Sequence, residues 1–235
     1  MRIFVQEADD VPLEVARALI EQVRTDHSEL TARVIDHPYL SALADGNVPT
    51  SRLRVFAEQE YHIIASDTRS YALAATRASS PESRSFLLGM FEGEWAAERL
   101  TEYSRELGVM PEELDDSEPL AGAFSYSTCL AWLATHGDES ELVGALLVTL
   151  PAWQANCAAM IRALQDRYAV PDSALGFLTA QTASLDEFER GALDVVAQGL
   201  KRGIAPDRIR RAGRLLLECE LFFWDAVYRA SCRQS

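Results

Sequence analysis

Two glutamates stand where the surrounding side chains are apolar, and a carboxylate so placed is the strongest chemical signal in this chain. From Arg210 to Tyr228 the sequence has helical periodicity, with Leu216, Leu217, Phe223, Trp224 and Val227 on one stripe and Glu220 in its middle. The segment opening at Thr50 places Leu53, Phe56, Ala57, Ile63 and Ile64 on one face that also takes Glu60. Asp67 extends that face by two turns. A carboxylate on a core-facing stripe is costly to bury unless it is paired, protonated or set in a polar pocket. Two of them can divide into a proton donor and a charged partner, as acid–base catalysis requires. A simpler arrangement pairs each glutamate with Arg69, Arg77 or a tyrosine hydroxyl.

A second group of polar residues surrounds Pro151, which interrupts a helical pattern and removes one backbone hydrogen bond. Thr149, Trp153 and Asn156 share a face there, pointing a hydroxyl, an indole and an amide the same way. An inward asparagine needs partners, supplied either by a ligand or by a neighbouring backbone. Tyr126 lies on a stripe with Cys129, Leu130 and Leu133, where its hydroxyl can reach a ligand or its ring can fill core. The candidate ligand-binding set is therefore Asp67, Tyr126, Thr149, Trp153, Asn156 and Trp224. Cys129 and Cys157 read as small core residues.

Metal chemistry finds little support. Helical bundles hold di-iron with carboxylates and Glu-x-x-His motifs. None of His27, His37, His62 and His136 follows a glutamate at that spacing, and no histidine occurs after His136. No metal and no cofactor are expected. A Gly-x-Ser-x-Gly elbow, a phosphate loop and a dinucleotide fingerprint are all absent. His37 ahead of Pro38 is expected to fix a helix start.

The formal net charge of -14 argues against direct nucleic-acid binding, which needs clustered Lys and Arg, and equally against anionic membranes. No apolar run is read as a membrane span, and the start of the chain, with Glu7, Asp9 and Asp10, does not read as a signal peptide. Four cysteines without a close pair or zinc spacing predict a reduced, cytoplasmic protein.

Nearly every periodic segment has the helical period, apart from a short candidate strand at Ile3 to Gln6. Helices are predicted from Pro12 to Asp26, Ser28 to Asp36, Pro38 to Ala44, Thr50 to Ala78, Pro81 to Leu107 and Pro119 to Thr135. Further helices run from Ser140 to Tyr168, Ser173 to Ala180, Leu185 to Lys201 and Ala205 to Ser231. The expectation is one all-α domain over residues 1–235.

His37-Pro38-Tyr39-Leu40, Ala44-Asp45-Gly46, Gln59-Glu60-Tyr61, Glu220 and Phe223-Trp224-Asp225, in that order, resemble thiaminase II (TenA) proteins over roughly residues 28 to 229. The resemblance implies a haem-oxygenase-like bundle of seven to eight helices around a central pocket, assembled as a homodimer or homotetramer. It implies hydrolysis of aminopyrimidine compounds. Glu60 stands where the family has an aspartate that holds the pyrimidine, Glu220 where it has a proton-transferring glutamate, and Tyr126 matches a pocket tyrosine. Where the family carries a cysteine after a Leu-Pro pair, this chain has Ala152, and the tyrosine before Ala-Ser is replaced by Thr182.

Three functions follow as alternatives. The first is a metal-independent, thiaminase-II-like enzyme using Glu60 and Glu220. The second is a small-molecule-binding or regulatory protein that keeps the pocket without turnover. The third is a haem-oxygenase-like oxidase.

Overall fold

The helix boundaries follow from local chemistry in a computed structural model that describes the backbone of residues 6–90, 93–184 and 186–232. The helices are α1 (Gln6–Asp26), α2 (Ser28–Ile35), α3 (Pro38–Ala44), α4 (Arg54–Arg77), α5 (Pro81–Gly89) and α6 (Gly93–Glu106). They continue with α7 (Pro111–Asp115), α8 (Ala121–His136), α9 (Glu139–Tyr168), α10 (Gly176–Gln181), α11 (Asp186–Lys201) and α12 (Pro206–Cys232). The His37 side chain caps α3 by accepting from the Tyr39 amide, with Pro38 at the first helical position. Ser80 and Pro81 do the same for α5. Asp138 and Glu141 close a capping box on α9.

Among the described residues, α1, α4, α6, α8, α9, α11 and α12 are the helices of fourteen residues or more, and they build the bundle. The single helix expected from Pro81 to Leu107 is instead two, α5 and α6, since α5 stops at Gly89, a residue of low helix propensity, and Met90 caps its end. Thr50–Arg52 forms a 3-10 turn ahead of α4, and α7 was not foreseen. The candidate strand at Ile3 to Gln6 lies outside the described residues except for Gln6, which opens α1.

The 30-residue α9 runs through the middle and belongs to both halves of the core. By length and mean hydropathy it is apolar enough to cross a membrane, although no uninterrupted apolar run within it approaches a membrane span. Its most apolar stretch is 61% buried in the bundle, which accounts for that hydropathy without a bilayer. α9 continues through Pro151, whose missing N–H leaves the Leu147 carbonyl without its helical donor. The Arg24 guanidinium of α1 fills that gap through Nε and Nη2, at 3.2 and 2.7 Å.

Small residues let α9 sit close to its neighbours. A Cβ built on Gly199 of α11 would lie 2.1 Å from the Ser140 Oγ and 2.3 Å from its Cβ, and one on Gly144 of α9 would lie 2.6 Å from an Ile209 methyl. Gly199→Ala must therefore push two helices apart at the capped start of α9. A destabilisation of about 1–3 kcal/mol is expected, read as a fall of several degrees in Tm. An unchanged Tm would show that the α9–α11 contact yields freely.

α8 and α12 bring together two cysteines that are remote in sequence. The Cys129 and Cys219 thiols lie close enough to act on one another, which raises the pKa of Cys129 and lowers that of Cys219. The contact fits the helix register, since seven residues away Gly122 packs against Phe222 and Ala226.

Candidate functional site

The apolar stripes of α4, α8, α9 and α12 do not close completely on one another. They leave a cavity of about 770 Å³, with α10 and the ends of α5, α6 and α11 around its margin. α4 contributes Glu60, Ile63, Ile64, Asp67, Thr68 and Tyr71 to its wall, and α8 contributes Tyr126. Thr149 and Trp153 come from α9, and Glu220 and Phe223 from α12. Among the described lining residues there is no Lys, Arg or His, while Glu60, Asp67, Glu187 and Glu220 are all acidic.

Glu60 and Glu220 thus share one cavity. Their exposures are 7% and 2%, and both oxygens of Glu220 lack a hydrogen-bond partner. Burial pushes the Glu60 carboxyl up to about 8, reinforced by the nearby charges of Asp67 and then Glu220. Burial likewise raises Glu220 to about 8. The Trp224 indole N–H pulls the other way, although the pair does not reach full hydrogen-bond geometry. Asp67 is raised to about 7 by burial, offset in part by the Ser127 hydroxyl, which donates to its Oδ1 at 2.8 Å. Carboxyl groups poised near neutrality, each opposing ionisation of the next, can present one protonated acid and one charged base together.

The arginine partners considered for the glutamates are elsewhere. Arg77 donates to the Ala134 carbonyl, and the lining residues include neither Arg69 nor Arg77. Tyr126 and Thr149 are neighbours on the cavity wall, and the Thr149 hydroxyl donates to the Leu146 carbonyl of its own helix at 3.3 Å. Trp153 lines the cavity, and its indole N–H donates to the Gln181 side chain at 3.1 Å.

Two sequence candidates lie outside the lining. Asn156 is wholly buried off the lining; its amide N–H donates to the Val34 carbonyl of α2 at 3.1 Å and ties α9 to α2, while its Oδ1 has no hydrogen-bond partner. Trp224 is wholly buried among Tyr39, Phe56, Trp153 and Phe223, with ring centroids 5.0–6.1 Å away, and supports Glu220 from behind. The geometric reason is shared by both. A helix stripe wider than the cavity puts its flanking members into helix–helix contacts.

Sequence reasoning passed over Ser127, Tyr71 and Gln181. Tyr71 was open to detection, since it stands four residues after Asp67 on the same face. Ser127 and Gln181 carry no such signal, because their partners come from other helices. Of the nucleophile positions, Ala152 has no functional group, and Cys157 is fully buried off the cavity with a thiol pKa raised chiefly by burial. A thiol so held is inert. Among the described residues no group of three or more His, Cys, Asp or Glu is gathered tightly enough to hold a metal ion.

Comparison with known proteins agrees with this architecture. The TenA homologue from P. horikoshii OT3 superposes with a TM-score of 0.74 at 20% identity, covering 90% of this chain and 99% of that one. A domain of unknown function with a haem-oxygenase-like fold from Shewanella denitrificans gives 0.72 at 15% identity, covering 93% and 97%. In sequence, an aminopyrimidine aminohydrolase of Halalkalibacterium halodurans is 25% identical over 114 residues, which are 48% of this chain and 51% of that protein. One from Bacillus subtilis is 24% identical over 131 residues, 54% of this chain and 55% of that protein. The chain thus spans about half the length of the curated relatives it matches. The TENA/THI-4/PQQC family pattern extends much further, over residues 24–230. With the haem-oxygenase-like bundle and that match along most of its length, the chain belongs to the TENA/THI-4/PQQC family.

Proposed function

We propose that this protein is a small-molecule hydrolase acting on an aminopyrimidine-like, nitrogen-rich compound, with Glu60 and Glu220 as its acid–base pair. The observation that carries the reading is the burial of both glutamates in one cavity with no cation on the described lining. A neutral or protonated nitrogen heterocycle supplies the donors that such carboxylates lack, whereas a phosphate or carboxylate would meet only like charge. The names of the two curated relatives support the same substrate class.

The chemistry runs on water, since the wall offers no activated nucleophile. The ionised carboxylate takes a proton from water as its oxygen bonds to the ring carbon carrying the amino group. The protonated carboxyl gives its proton to that amino group, the C–N bond breaks, and ammonia leaves. Both carboxyls lie where their pKa suits such exchange near neutral pH.

The lack of a cysteine after Leu150-Pro151 favours a second reading, a sensor that binds the same ligands without turnover. Thermal unfolding against aminopyrimidines and thiamin, followed by an ammonia-release assay, separates the cases. A ligand at 100 times its Kd stabilises by about 2.7 kcal/mol, a shift of several degrees for a chain of this length. A shift lost in Glu60→Gln together with ammonia release supports the enzyme, and a shift without ammonia supports the sensor. No shift with any aminopyrimidine would remove the substrate assignment.

A further inference from the structure

The seam between α8 and α12 holds a pair of thiols that the chemistry of the cavity does not use. A Cβ built on Gly122 of α8 would lie 3.1 Å from the Ala226 Cβ of α12, so the two helices touch there. Cys129 stands seven residues after Gly122, and Cys219 seven residues before Ala226. Seven residues are two turns on either helix, so both pairs lie on one antiparallel seam. Each thiol is the first influence on the titration of the other. The Ser125 side chain, one turn before Cys129, also acts on Cys219.

The seam reaches solvent. Both cysteines are only partly buried, and Trp132 and Phe222, each three residues beyond one of them, are 52% and 50% exposed. Cys157, in contrast, is fully buried, and Cys232 ends α12 three turns and more beyond Cys219. A disulfide needs Cβ atoms about 3.5–4.5 Å apart, a spacing in reach of helices that approach as closely as these do at Gly122.

We propose that Cys129 and Cys219 form a redox-modification site, which a hydroperoxide closes into a disulfide joining α8 to α12. Cys219 is the attacking sulfur, because its contact with Cys129 favours the thiolate. That sulfur bonds to one peroxide oxygen, the O–O bond breaks, and the other oxygen leaves as water or alcohol with the thiol proton. The Cys129 sulfur then attacks the sulfenic acid left on Cys219. The S–O bond breaks, and the hydroxyl leaves as water with the Cys129 proton. Two thiols lose two electrons, and one hydroperoxide is reduced. Neither cysteine lines the cavity, but Glu220 follows Cys219 directly and Tyr126 stands one turn before Cys129. The disulfide therefore restrains two walls of the cavity, whatever ligand occupies it.

The test treats the whole reduced protein with hydrogen peroxide and follows thiol titre, intact mass, peptide maps and Tm. Two of the four thiols should disappear, the mass should fall by two hydrogens, and a peptide pair linking Cys129 to Cys219 should appear. Tm should rise by about 5 °C or more, the scale of a disulfide that closes a long loop. Dithiothreitol should reverse every change. Cys129→Ser should stop at a sulfenic acid on Cys219, captured by dimedone, whereas Cys219→Ser should leave Cys129 unoxidised. The link should survive Cys232→Ser. Native protein that keeps all its thiols under peroxide overturns the proposal. So does thiol loss without the internal link, whether through a disulfide between chains or through oxidation at Cys232. Both of these results are read on native protein and need no variant to fold.

Discussion

Glu220→Gln is expected to give a protein that is folded, more stable above neutral pH, and at least about 100-fold slower in turnover, the usual scale for a lost general acid or base. The two effects share one cause. In the native state burial holds the Glu220 carboxyl protonated up to about 8, whereas in the unfolded chain it ionises near 4.5. The folded state therefore binds this proton more tightly, and the group favours folding fully below about 4.5. That contribution is lost as pH rises towards about 8, at a limiting slope of about 1.4 kcal/mol per pH unit. Glu60 behaves in the same way, and Asp67 does so over a range ending near 7. The native Tm should thus decline from about pH 5 to 8 and then level off. Glutamine has no charge to desolvate, so the variant should decline less steeply and melt above the native protein at pH 8 to 9. Thermal unfolding across that range, with ammonia release measured on the same samples, checks both halves. A native Tm that does not change with pH, or a variant no more stable at pH 9, would mean that Glu220 is solvated or paired in solution.

Truncating Trp224 should have the largest effect on stability. It is among the largest wholly buried side chains and touches four aromatic rings, Tyr39, Phe56, Trp153 and Phe223, from three other elements and its own helix. Trp224→Ala removes that surface and leaves a void at the junction of α3, α4, α9 and α12, at a cost of about 3–5 kcal/mol. For a chain of this size the Tm should fall by about 10 °C or more. Trp224→Phe separates packing from polarity. It keeps most of the ring while deleting an indole N–H that has no hydrogen-bond partner and that steadies the Glu220 charge. That variant should cost less than about 1.5 kcal/mol and shift the pH profile of activity upward, because Glu220 then ionises later. A profile that does not move would make Trp224 a packing residue alone.

Much of the architecture was legible in the sequence because a helix is a local object. The caps at His37-Pro38, Ser80-Pro81 and Asp138 are each decided within four residues, and the observed helices start there. The Pro81 to Leu107 segment misled, since its periodicity runs on past the end of α5 at Gly89. The carboxylates of the cavity were also legible, because Glu60, Asp67 and Glu220 break apolar stripes that any helix must bury.

What the stripes face is another matter. Asn156 and Thr149 share a face, yet the first meets the Val34 carbonyl 122 positions away and the second meets the cavity. Trp224 and Phe223 are adjacent, and only Phe223 reaches the lining. The Ser127 bond to Asp67, the Arg24 bond to the carbonyl left free by Pro151, and the contact of Cys129 with Cys219 all join segments that local periodicity cannot relate. The sequence by itself determined that this chain forms amphipathic helices bearing inward carboxylates, since side-chain direction repeats with the 3.6-residue turn. Only the tertiary structure decided that those carboxylates share one cavity without a cation on its described wall. Which stripes meet, and where they fail to close, is set by helix packing and by contacts far apart along the chain.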